Sequence, residues 1–314
     1  MKILVYGAGV LGSLYAARLY QCGYDVTLLA RGKRYEEIVL NGVILEGAIS
    51  GERTVNRMPV CQTLEPDDCY DLIIVLVRGD QVTDLLPTLA ANRNSKAILF
   101  MVNNPNGYAD WIKAVGEERL LLGFAGAGGT RKDGVVRYHI VSPVLQPTTL
   151  AELDGSKSER IKDVARIFRN AGFATAISRN IEAWQKTHVA WVSPVANAIL
   201  AAGGDGKVLS QRSDLLRLLV DAIHESFAVL RQLGVPIIPG KLKIITLMPK
   251  ALTRTIFKLW SKTQHFDTIA VRHTLAAYSE IRLLSDELQA IARSTRNPTP
   301  ALDRLHQYML DHPR

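Results

Sequence analysis

Three glycines near the start of the chain have the spacing of a phosphate-binding turn. Residues 7–12 read GAGVLG, which is a GxGxxG pattern. The first glycine of such a turn allows a tight bend, the second lets the backbone approach a pyrophosphate, and the third lets the following helix pack on the sheet. The N–H groups at the start of that helix then face the phosphates. The candidate cofactor-binding residues are Gly7, Ala8, Gly9, Val10, Leu11 and Gly12.

The surroundings of the motif distinguish it from a chance glycine-rich turn. It follows a predicted strand at Lys2–Tyr6 and opens a predicted helix at Val10–Gln21. This order of strand, turn and helix is the context in which a GxGxxG pattern binds a dinucleotide. The alternative is a glycine-rich turn in an α/β protein that binds no ligand.

A basic residue follows the second predicted strand, where the two nicotinamide cofactors are told apart. Sites that prefer NAD usually carry an acidic residue there for the ribose 2′-hydroxyl. This chain has Arg31, followed by Lys33 and Arg34, whereas Asp25 comes at the start of the strand. A guanidinium can pair with a 2′-phosphate through two hydrogen bonds. Arg31 thus favours NADP(H), and the alternative is that these basic residues form a solvated loop.

Strand and helix patterns alternate through the first half of the chain, which is typical of a parallel, doubly wound sheet. A further stretch, Val135–Thr149, follows a turn at residues 132–134 and is predicted to extend the sheet in the antiparallel direction. The other predicted strands are Asp25–Ala30, Val43–Glu46, Leu72–Val77, Ala97–Val102, Leu120–Ala125 and the edge strand Ala174–Ile177. The other predicted helices are Asp80–Ala91, Tyr108–Ala114 and Ser158–Ala171.

The pattern becomes helical throughout after about residue 180. We therefore expect an α/β Rossmann-like N-terminal domain at residues 1–180 and an all-α domain at 181–314, with a hinge helix starting near 181. The predicted helices are Ile181–Ala202, Ser213–Leu233, one or two within Lys241–Lys262, Asp267–Arg293 and Ala301–Asp311.

Composition excludes some classes of function and leaves others open. The formal net charge of +8 suits an anionic cofactor and substrate as well as a nucleic acid, and no DNA-binding motif is present, so we expect no nucleic-acid partner. No apolar run approaches the roughly 20 residues of a membrane span, and the N-terminus lacks a signal-peptide pattern. Three scattered cysteines suit the reducing cytoplasm. No metal is expected, because no metal-binding spacing joins the histidines His139, His188, His224, His265, His273, His306 and His312.

Segments along nearly the whole chain resemble the ketopantoate reductases (2-dehydropantoate 2-reductases). They include KILVYGAGVLGS, LARGKR, DLIIVLVRGDQVTDLL, ILFMVNN, RKDGVVRYHI, IEAWQKTHVAWVSPVANAI, SEIRLL and RNPTPALDRL. The resemblance implies a Rossmann domain followed by an all-α domain, with the active site in the cleft. It also implies transfer of hydride from NADPH to a 2-oxo acid, as in the family member that makes pantoate for coenzyme A, and a homodimer through the helical domain.

The resemblance also implies roles for individual residues. Lys186 matches the catalytic lysine, which supplies charge and a proton to the developing alkoxide, and Glu280 matches a substrate-binding glutamate of the active site. Asn103 matches an asparagine that contacts both nicotinamide and substrate, and Thr268 falls where a serine binds the substrate carboxylate. Arg78 replaces a lysine of the cofactor site. The alternative interpretations are a helix-surface lysine and glutamate and a turn residue in NNPNG.

The chain departs from the family pattern around the substrate. Ala190 and Ser193 stand where asparagines are usual, and Asp286 stands in place of a glycine. Asn197 shares a helix face with Lys186 but lies about 16 Å further along the axis. Ser193 and Asn197 remain candidate substrate-binding residues. Changes of this kind alter substrate preference more readily than reaction type.

Three alternative functions stay open on this evidence. The first is the same chemistry on a different 2-oxo or 3-oxo acid, including the 3-hydroxy acid and opine dehydrogenases of similar architecture. The second is an NADP(H)-binding sensor or partner protein without catalysis, which the altered pocket favours. The third, nucleic-acid binding, depends only on the basic charge.

Overall fold

A computed structural model describes residues 1–311, so His312 lies outside the described residues. The chain forms two compact units. The first comprises Met1–Asn103 and Tyr108–Ile181, and the second comprises Asn104–Gly107 and the chain from Glu182 onward. The fold class is confirmed: the first unit is α/β and the second is helical.

The first unit is built on an eight-stranded sheet with the order β12-β11-β8-β7-β6-β1-β2-β5. All neighbouring pairs are parallel except β11 and β8. A second sheet of four strands has the order β4-β3-β10-β9. The strands are β1 (Lys2–Tyr6), β2 (Asp25–Leu29), β3 (Val43–Gly47), β4 (Arg53–Asn56), β5 (Val60–Cys61), β6 (Leu72–Val75), β7 (Ile98–Phe100), β8 (Leu120–Phe124), β9 (Ala127–Lys132), β10 (Val135–Ile140), β11 (Thr148–Glu152) and β12 (Thr175–Ile177).

The helices of the first unit bury apolar side chains in its core. In α5, for example, Ile161, Val164, Ala165 and Phe168 are buried, and Ser158 caps the N-terminus by accepting a hydrogen bond from the Ile161 N–H. The helices are α1 (Val10–Gln21), α2 (Gly32–Asn41), α3 (Val82–Ala91), α4 (Ala109–Val115) and α5 (Glu159–Asn170).

Strand β1 occupies the position in the sheet where a ligand is expected. The chain runs from β1 to β2 on one side and later returns to β6 on the other side. In open α/β sheets, ligands bind outside the carboxyl ends of the strands at such a switch point. The glycine turn at residues 7–12 directly follows β1, so the fold places it at this point.

One prediction about the first unit is correct only in part, and one alternative is excluded. The stretch 135–149 is two strands in different sheets: β10 pairs antiparallel with β9 in the small sheet, and β11 pairs antiparallel with β8 in the large one. Pro143 and Pro147 explain the interruption, because proline cannot donate a ladder hydrogen bond. The residues after Arg31 are also not a loop, since α2 begins at Gly32.

The second unit packs around α8, whose apolar face buries Leu219, Ile223, Phe227 and Leu230. Helix α6 carries Pro194 in its interior. The helices that follow the first unit are α6 (Ile181–Ala201), α7 (Gly206–Gln211), α8 (Ser213–Gln232), α9 (Lys243–Leu247), α10 (Lys250–Trp260), α11 (Gln264–Phe266), α12 (Arg272–Ala276), α13 (Tyr278–Arg293) and α14 (Pro300–Asp311).

The prediction of one helix over Asp267–Arg293 was wrong. A π-helical turn at Asp267–Val271 precedes α12, and Ala277 leaves helical geometry with φ −112° and ψ 33° before α13 begins. No glycine or proline marks the break, and each piece keeps the same helical periodicity, so the sequence pattern reads through it. π-helical turns are frequent at functional sites.

Candidate functional site

The glycine turn has the shape that a pyrophosphate requires. Gly7 has φ 113°, and a Cβ there would lie 2.5 Å from the Leu76 carbonyl oxygen. A Cβ on Gly12 would lie 1.7 Å from the Gly7 carbonyl oxygen, whereas one on Gly9 would meet no atom within 4 Å. Gly7 and Gly12 are thus fixed by packing, and the space over Gly9 is open to a ligand.

Free N–H groups face this open space from the first turn of α1. Gly9 is the N-cap and offers no side-chain acceptor, and no acidic residue lies in the first turn. The first four N–H groups of a helix have no acceptor within the helix, and its N-terminus carries a partial positive charge. The turn therefore fits an anionic pyrophosphate.

Arg34 binds the glycine turn and the start of α1 through hydrogen bonds. Its Nε donates to the Ala8 carbonyl at 3.2 Å, its Nη2 donates to the Ser13 hydroxyl at 3.1 Å, and its Nη1 pairs with Glu37 at 2.7 Å. Burial lowers the pKa of this arginine, and the contact with Glu37 opposes that effect. Arg34 is therefore committed to the protein, which leaves Arg31 and Lys33 of the basic cluster for a ligand.

Arg31 is the N-cap of α2 and is exposed. Its guanidinium donates to the Tyr6 hydroxyl and lies over the Tyr6 ring, with Cζ 5.5 Å from the ring centre. The first turn of α2 has no acidic residue and no side-chain cap. An arginine beside a free helix N-terminus suits a phosphate group.

Arg78 and Asn103 follow the carboxyl ends of two neighbouring strands, β6 and β7. Arg78 is exposed and makes two hydrogen bonds to Asp80, with Nε–Oδ1 at 3.1 Å and Nη2–Oδ2 at 3.0 Å. Asn103 is half-buried. Both lie at the edge of the sheet where ligands of this fold bind.

Lys186 lies on one face of α6 together with Ala190, Ser193 and Asn197, which follow it by four, seven and eleven residues. We call these four residues the α6 face. Lys186 pairs with Glu182 one turn earlier, and its side chain is 19% exposed. This pair keeps the ammonium group near the start of the α6 face.

Asn197 is the first member of a buried chain of hydrogen bonds across α6, α13 and α14. Its Nδ2 donates to Ser285 Oγ at 2.8 Å, Ser285 Oγ lies 2.9 Å from His306 Nδ1, and His306 Nε2 lies 3.3 Å from Asp286. Burial lowers the pKa of His306, which fits a neutral ring that accepts from Ser285 and donates to Asp286.

Two acceptors of the α6 face have no partner among residues 1–311. They are the Ser193 hydroxyl oxygen and Asn197 Oδ1, and both residues are fully buried. Because buried polar atoms usually find a partner, each is a candidate contact for a substrate. The Asn197 amide nitrogen gives one of its two N–H groups to Ser285, so Oδ1 is the atom of this amide that lacks a partner among residues 1–311.

The two predicted substrate residues of the later helices occupy different settings. Thr268 lies in the π-helical turn, half-buried, and its hydroxyl donates to the Gln264 carbonyl at 2.9 Å. Glu280 is half-buried in the first turn of α13. The hydroxyl oxygen of Thr268 still has acceptor capacity, so its present bond does not exclude a ligand.

A second glutamate shares the Glu280 face of α13, two turns later. Glu287 accepts a hydrogen bond from Asn106 Nδ2 at 2.9 Å, and its Oε2 is buried without a partner in the described part of the chain. Burial, and then the neighbouring Asp286, raise the pKa of Glu287 to about 7. No local pattern indicated this contact, because Asn106 and Glu287 are 181 positions apart.

The described part of the chain meets neither the requirements of a metal site nor those of a membrane-spanning helix. Within residues 1–311, no three His, Cys, Asp or Glu side chains are grouped so that they could hold a metal ion. His188 stacks on Trp184 at 5.3 Å, and burial, then His273, lower its pKa to about 3. Over the same range, no helix has the length and apolar character to cross a bilayer.

Comparison with known families gives a match for most of the first unit. Residues 3–154 match the family described as ketopantoate reductase PanE/ApbA. The matched residues make up just under half of the chain and, apart from residues 104–107, lie within the first unit. This match confirms the resemblance seen in the sequence. A 2-dehydropantoate 2-reductase of Pyrococcus horikoshii is 26% identical over 261 residues, which cover 79% of this chain and 80% of that protein.

Solved structures extend the similarity in fold to both units. A 2-dehydropantoate 2-reductase from Geobacter metallireducens GS-15 aligns with a TM-score of 0.76 at 18% identity, covering 99% of each chain. A ternary structure of D-mandelate dehydrogenase with NADH and anilino(oxo)acetate aligns with a TM-score of 0.78 at 17% identity, covering 99% of this chain and 97% of that chain. Both solved structures therefore share the fold of this chain, including its helical unit.

The sequence pattern did not indicate two side chains of the first unit that contact the glycine turn and the basic cluster, Arg34 and Tyr6. Tyr6 was counted only as the last residue of an apolar strand, and Arg34 only as one member of the basic cluster. A phenol at the carboxyl end of the first strand is a polar group at the ligand edge of the sheet, and that position could have drawn attention to Tyr6.

Proposed function

We propose that this protein reduces a 2-oxo acid to a 2-hydroxy acid with NADPH, and that it converts ketopantoate (2-dehydropantoate) to pantoate. The observation that carries the proposal is Lys186, which lies half-buried beside Glu182 at the position that the resemblance assigns to a catalytic lysine. The relatives named 2-dehydropantoate 2-reductase support this choice of substrate.

The chain's own residues can divide the work of this reaction. NADPH, when bound, supplies the hydride. Addition of hydride to a ketone puts negative charge on the oxygen, which the Lys186 ammonium stabilises and then neutralises by donating a proton. Glu182 holds that ammonium in place. Thr268 and Glu280 bind the acid.

The cofactor is held by the turn Gly7–Gly12, and Asn103 orients the nicotinamide and the substrate. Arg31 and the N-terminus of α2 pair with the 2′-phosphate, which gives a preference for NADPH. Arg78 adds positive charge at the same edge of the sheet. The open space over Gly9 and the uncapped start of α2 support these assignments.

A different 2-oxo or 3-oxo acid is the second candidate substrate. Ala190 is fully buried at a position where the resemblance expects an amide, so a contact that would bind ketopantoate is replaced by a methyl group. The unpartnered oxygens of Ser193 and Asn197 favour a substrate that donates hydrogen bonds to them. A sensor without catalysis would keep the cofactor turn and lose turnover.

The test is oxidation of NADPH over a panel of 2-oxo acids, for wild type and Lys186→Ala. Wild type should turn over ketopantoate, and loss of the proton donor should lower kcat by about 10²–10⁴-fold while NADPH affinity stays within about twofold. Turnover of another acid in preference to ketopantoate would transfer the assignment to the second candidate. Tight NADPH binding with no turnover of any acid would favour the sensor, and a wild-type rate in Lys186→Ala would exclude the lysine's role.

We also propose a homodimer, formed through the helical unit, in the cytoplasm. The outer side of α10 exposes Leu252, Ile256 and Leu259 at helical spacing, at 49%, 44% and 60% of their surface. A continuous apolar stripe of this kind is a common site of self-association. The three cysteines are free, as expected in a reducing compartment. Sedimentation velocity of wild type and Leu259→Glu would test the dimer.

A further inference from the structure

Tyr6, the last residue of β1, contacts the arginine on which the cofactor preference depends. The Arg31 guanidinium donates a hydrogen bond to the Tyr6 hydroxyl, and its Cζ lies 5.5 Å from the centre of the Tyr6 ring. Tyr6 is 3% exposed, whereas Arg31 is exposed. A fixed, buried phenol therefore holds a long side chain that would otherwise move freely in water.

The fold keeps the Tyr6 hydroxyl fixed and neutral. Tyr6 is aligned with Leu29 of β2 and Val75 of β6, so its backbone is part of the centre of the sheet. Burial raises the pKa of the Tyr6 phenol, against the opposing effect of Arg31. A neutral phenol oxygen can accept one N–H of the guanidinium and leaves the other N–H groups for an anion.

No other basic residue of the cluster is held in this way towards a ligand. Arg34 is committed to Ala8, Ser13 and Glu37. Lys33 is exposed, and a lysine is a flexible point charge that cannot bind a phosphate through a planar fork. Recognition of a 2′-phosphate by two hydrogen bonds therefore depends on Arg31 and on what fixes its position.

We propose that Tyr6 is a positioning residue that sets the preference for NADPH over NADH by holding Arg31 at the 2′-phosphate site. The inference rests on the proposed function, in which Arg31 binds that phosphate. An arginine held before the ligand arrives loses less rotamer freedom on binding, so affinity rises for the cofactor that carries the phosphate. NADH lacks the phosphate and gains nothing from the contact.

The test compares the Kd values of NADPH and NADH for wild type, Tyr6→Phe and Tyr6→Leu. Loss of the hydroxyl in Tyr6→Phe should weaken NADPH binding by about 3- to 10-fold, the effect of one hydrogen bond, and leave NADH within about twofold. Tyr6→Leu also removes the ring and should weaken NADPH further. Tyr70→Phe is the matched control, because Tyr70 is another buried phenol of the first unit whose ring lies 4.9 Å from Lys2 Nζ instead of an arginine.

Arg31→Ala separates failure of this inference from failure of the proposed function. If Arg31→Ala weakens NADPH binding selectively and Tyr6→Phe does not, or if Tyr6→Phe weakens both cofactors equally or tightens NADPH binding, the role of Tyr6 is excluded. If Arg31→Ala itself leaves the NADPH to NADH ratio unchanged, the assignment of Arg31 to the 2′-phosphate is wrong.

Discussion

The glycine turn of the first unit and the α6 face of the second are constrained over very different distances along the chain. The glycine at position 12 is fixed by an atom five residues away, because its Cβ would meet the Gly7 carbonyl oxygen. Asn197 on the α6 face is fixed by Ser285, 88 positions later. A local steric limit requires glycine at a fixed spacing, and that spacing can be recognised in the sequence. A hydrogen bond to a distant partner requires nothing of the neighbouring residues, so it cannot be recognised there.

The largest effect on stability should come from a methyl group added at Gly12, and a methyl group added at Gly9 is its control. Gly12→Ala places a Cβ 1.7 Å from a backbone oxygen, so the turn or α1 must move, at a cost of about 3 kcal/mol or more in the free energy of unfolding. Gly9→Ala places its Cβ in open space and should leave stability within about 0.5 kcal/mol. It should instead weaken NADPH binding, because the methyl group lies where the pyrophosphate approaches the backbone. Urea unfolding and a cofactor titration measure the two quantities.

The contrast between these two variants is the informative result. Equal destabilisation by Gly9→Ala and Gly12→Ala would mean that both glycines serve packing. Undiminished NADPH affinity in Gly9→Ala would show that the pyrophosphate does not lie over this glycine. The glycine turn would then be a local packing feature and not part of a cofactor site.

The same difference in range explains which parts of the fold were predictable. Helix α1 agrees with its prediction at both ends and β1 likewise, because strand, turn and helix periodicities follow each other within about 20 residues. Thr268 and Glu280 were placed on one continuous helix, and the π-helical turn and the bend at Ala277 between them follow from packing in the helical unit. Periodicity reports which face is apolar, and it does not report backbone irregularities within that face.

The side-chain pairs of the candidate site also differ in how far apart in the sequence their members lie, and only the nearest pair could be predicted. Lys186 and its pair Glu182 are one turn apart and could be paired from spacing alone. The contact of Arg31 with Tyr6 joins the last residue of β1 to the N-cap of α2, 25 positions later, and predicting it requires knowledge of the sheet order. The contact of Asn106 with Glu287 spans 181 positions and could not be predicted from either residue.

A pair of substitutions on the α6 face should have an intermediate effect. Asn197→Ala removes the donor to Ser285 and breaks the buried chain that ends at Asp286, so it should cost about 1–3 kcal/mol. Ser193→Ala removes a hydroxyl whose oxygen has no partner among the described residues, so stability should change by less than about 0.5 kcal/mol. Tryptophan fluorescence reports mainly on this unit during unfolding, since three of the four tryptophans, Trp184, Trp191 and Trp260, belong to it.

Kinetics then separate packing from substrate binding on the same face. If the Ser193 oxygen contacts the substrate, Ser193→Ala should raise KM for the preferred 2-oxo acid while stability stays unchanged. An unchanged KM together with unchanged stability would remove Ser193 from the site. A loss of stability in Ser193→Ala as large as that in Asn197→Ala would show that its hydroxyl has a structural partner.

The smallest effect should come from Glu287, and it should depend on pH. Burial and Asp286 raise the pKa of Glu287 in the folded protein to about 7, above the ordinary glutamate value of 4.5. Below pH 4.5 the group is protonated in both states and contributes no difference. Between pH 4.5 and 7 the unfolded chain ionises first, so folding stability falls as pH rises, and the deficit is constant above 7. Glu287→Gln cannot ionise and keeps an oxygen that accepts from Asn106, so it should stabilise the protein by about 1 kcal/mol at pH 8, after allowance for solvent screening, and by much less at pH 5.

A gain of the same size at both pH values would show that Glu287 is not held in its neutral form, and a loss at pH 8 would show that the ionised carboxylate is the better partner for Asn106. The second result would mean that Asn106 binds a charged carboxylate. The contact of α13 with residues 104–107 would then be an electrostatic one between residues 181 positions apart, which no local sequence pattern can indicate.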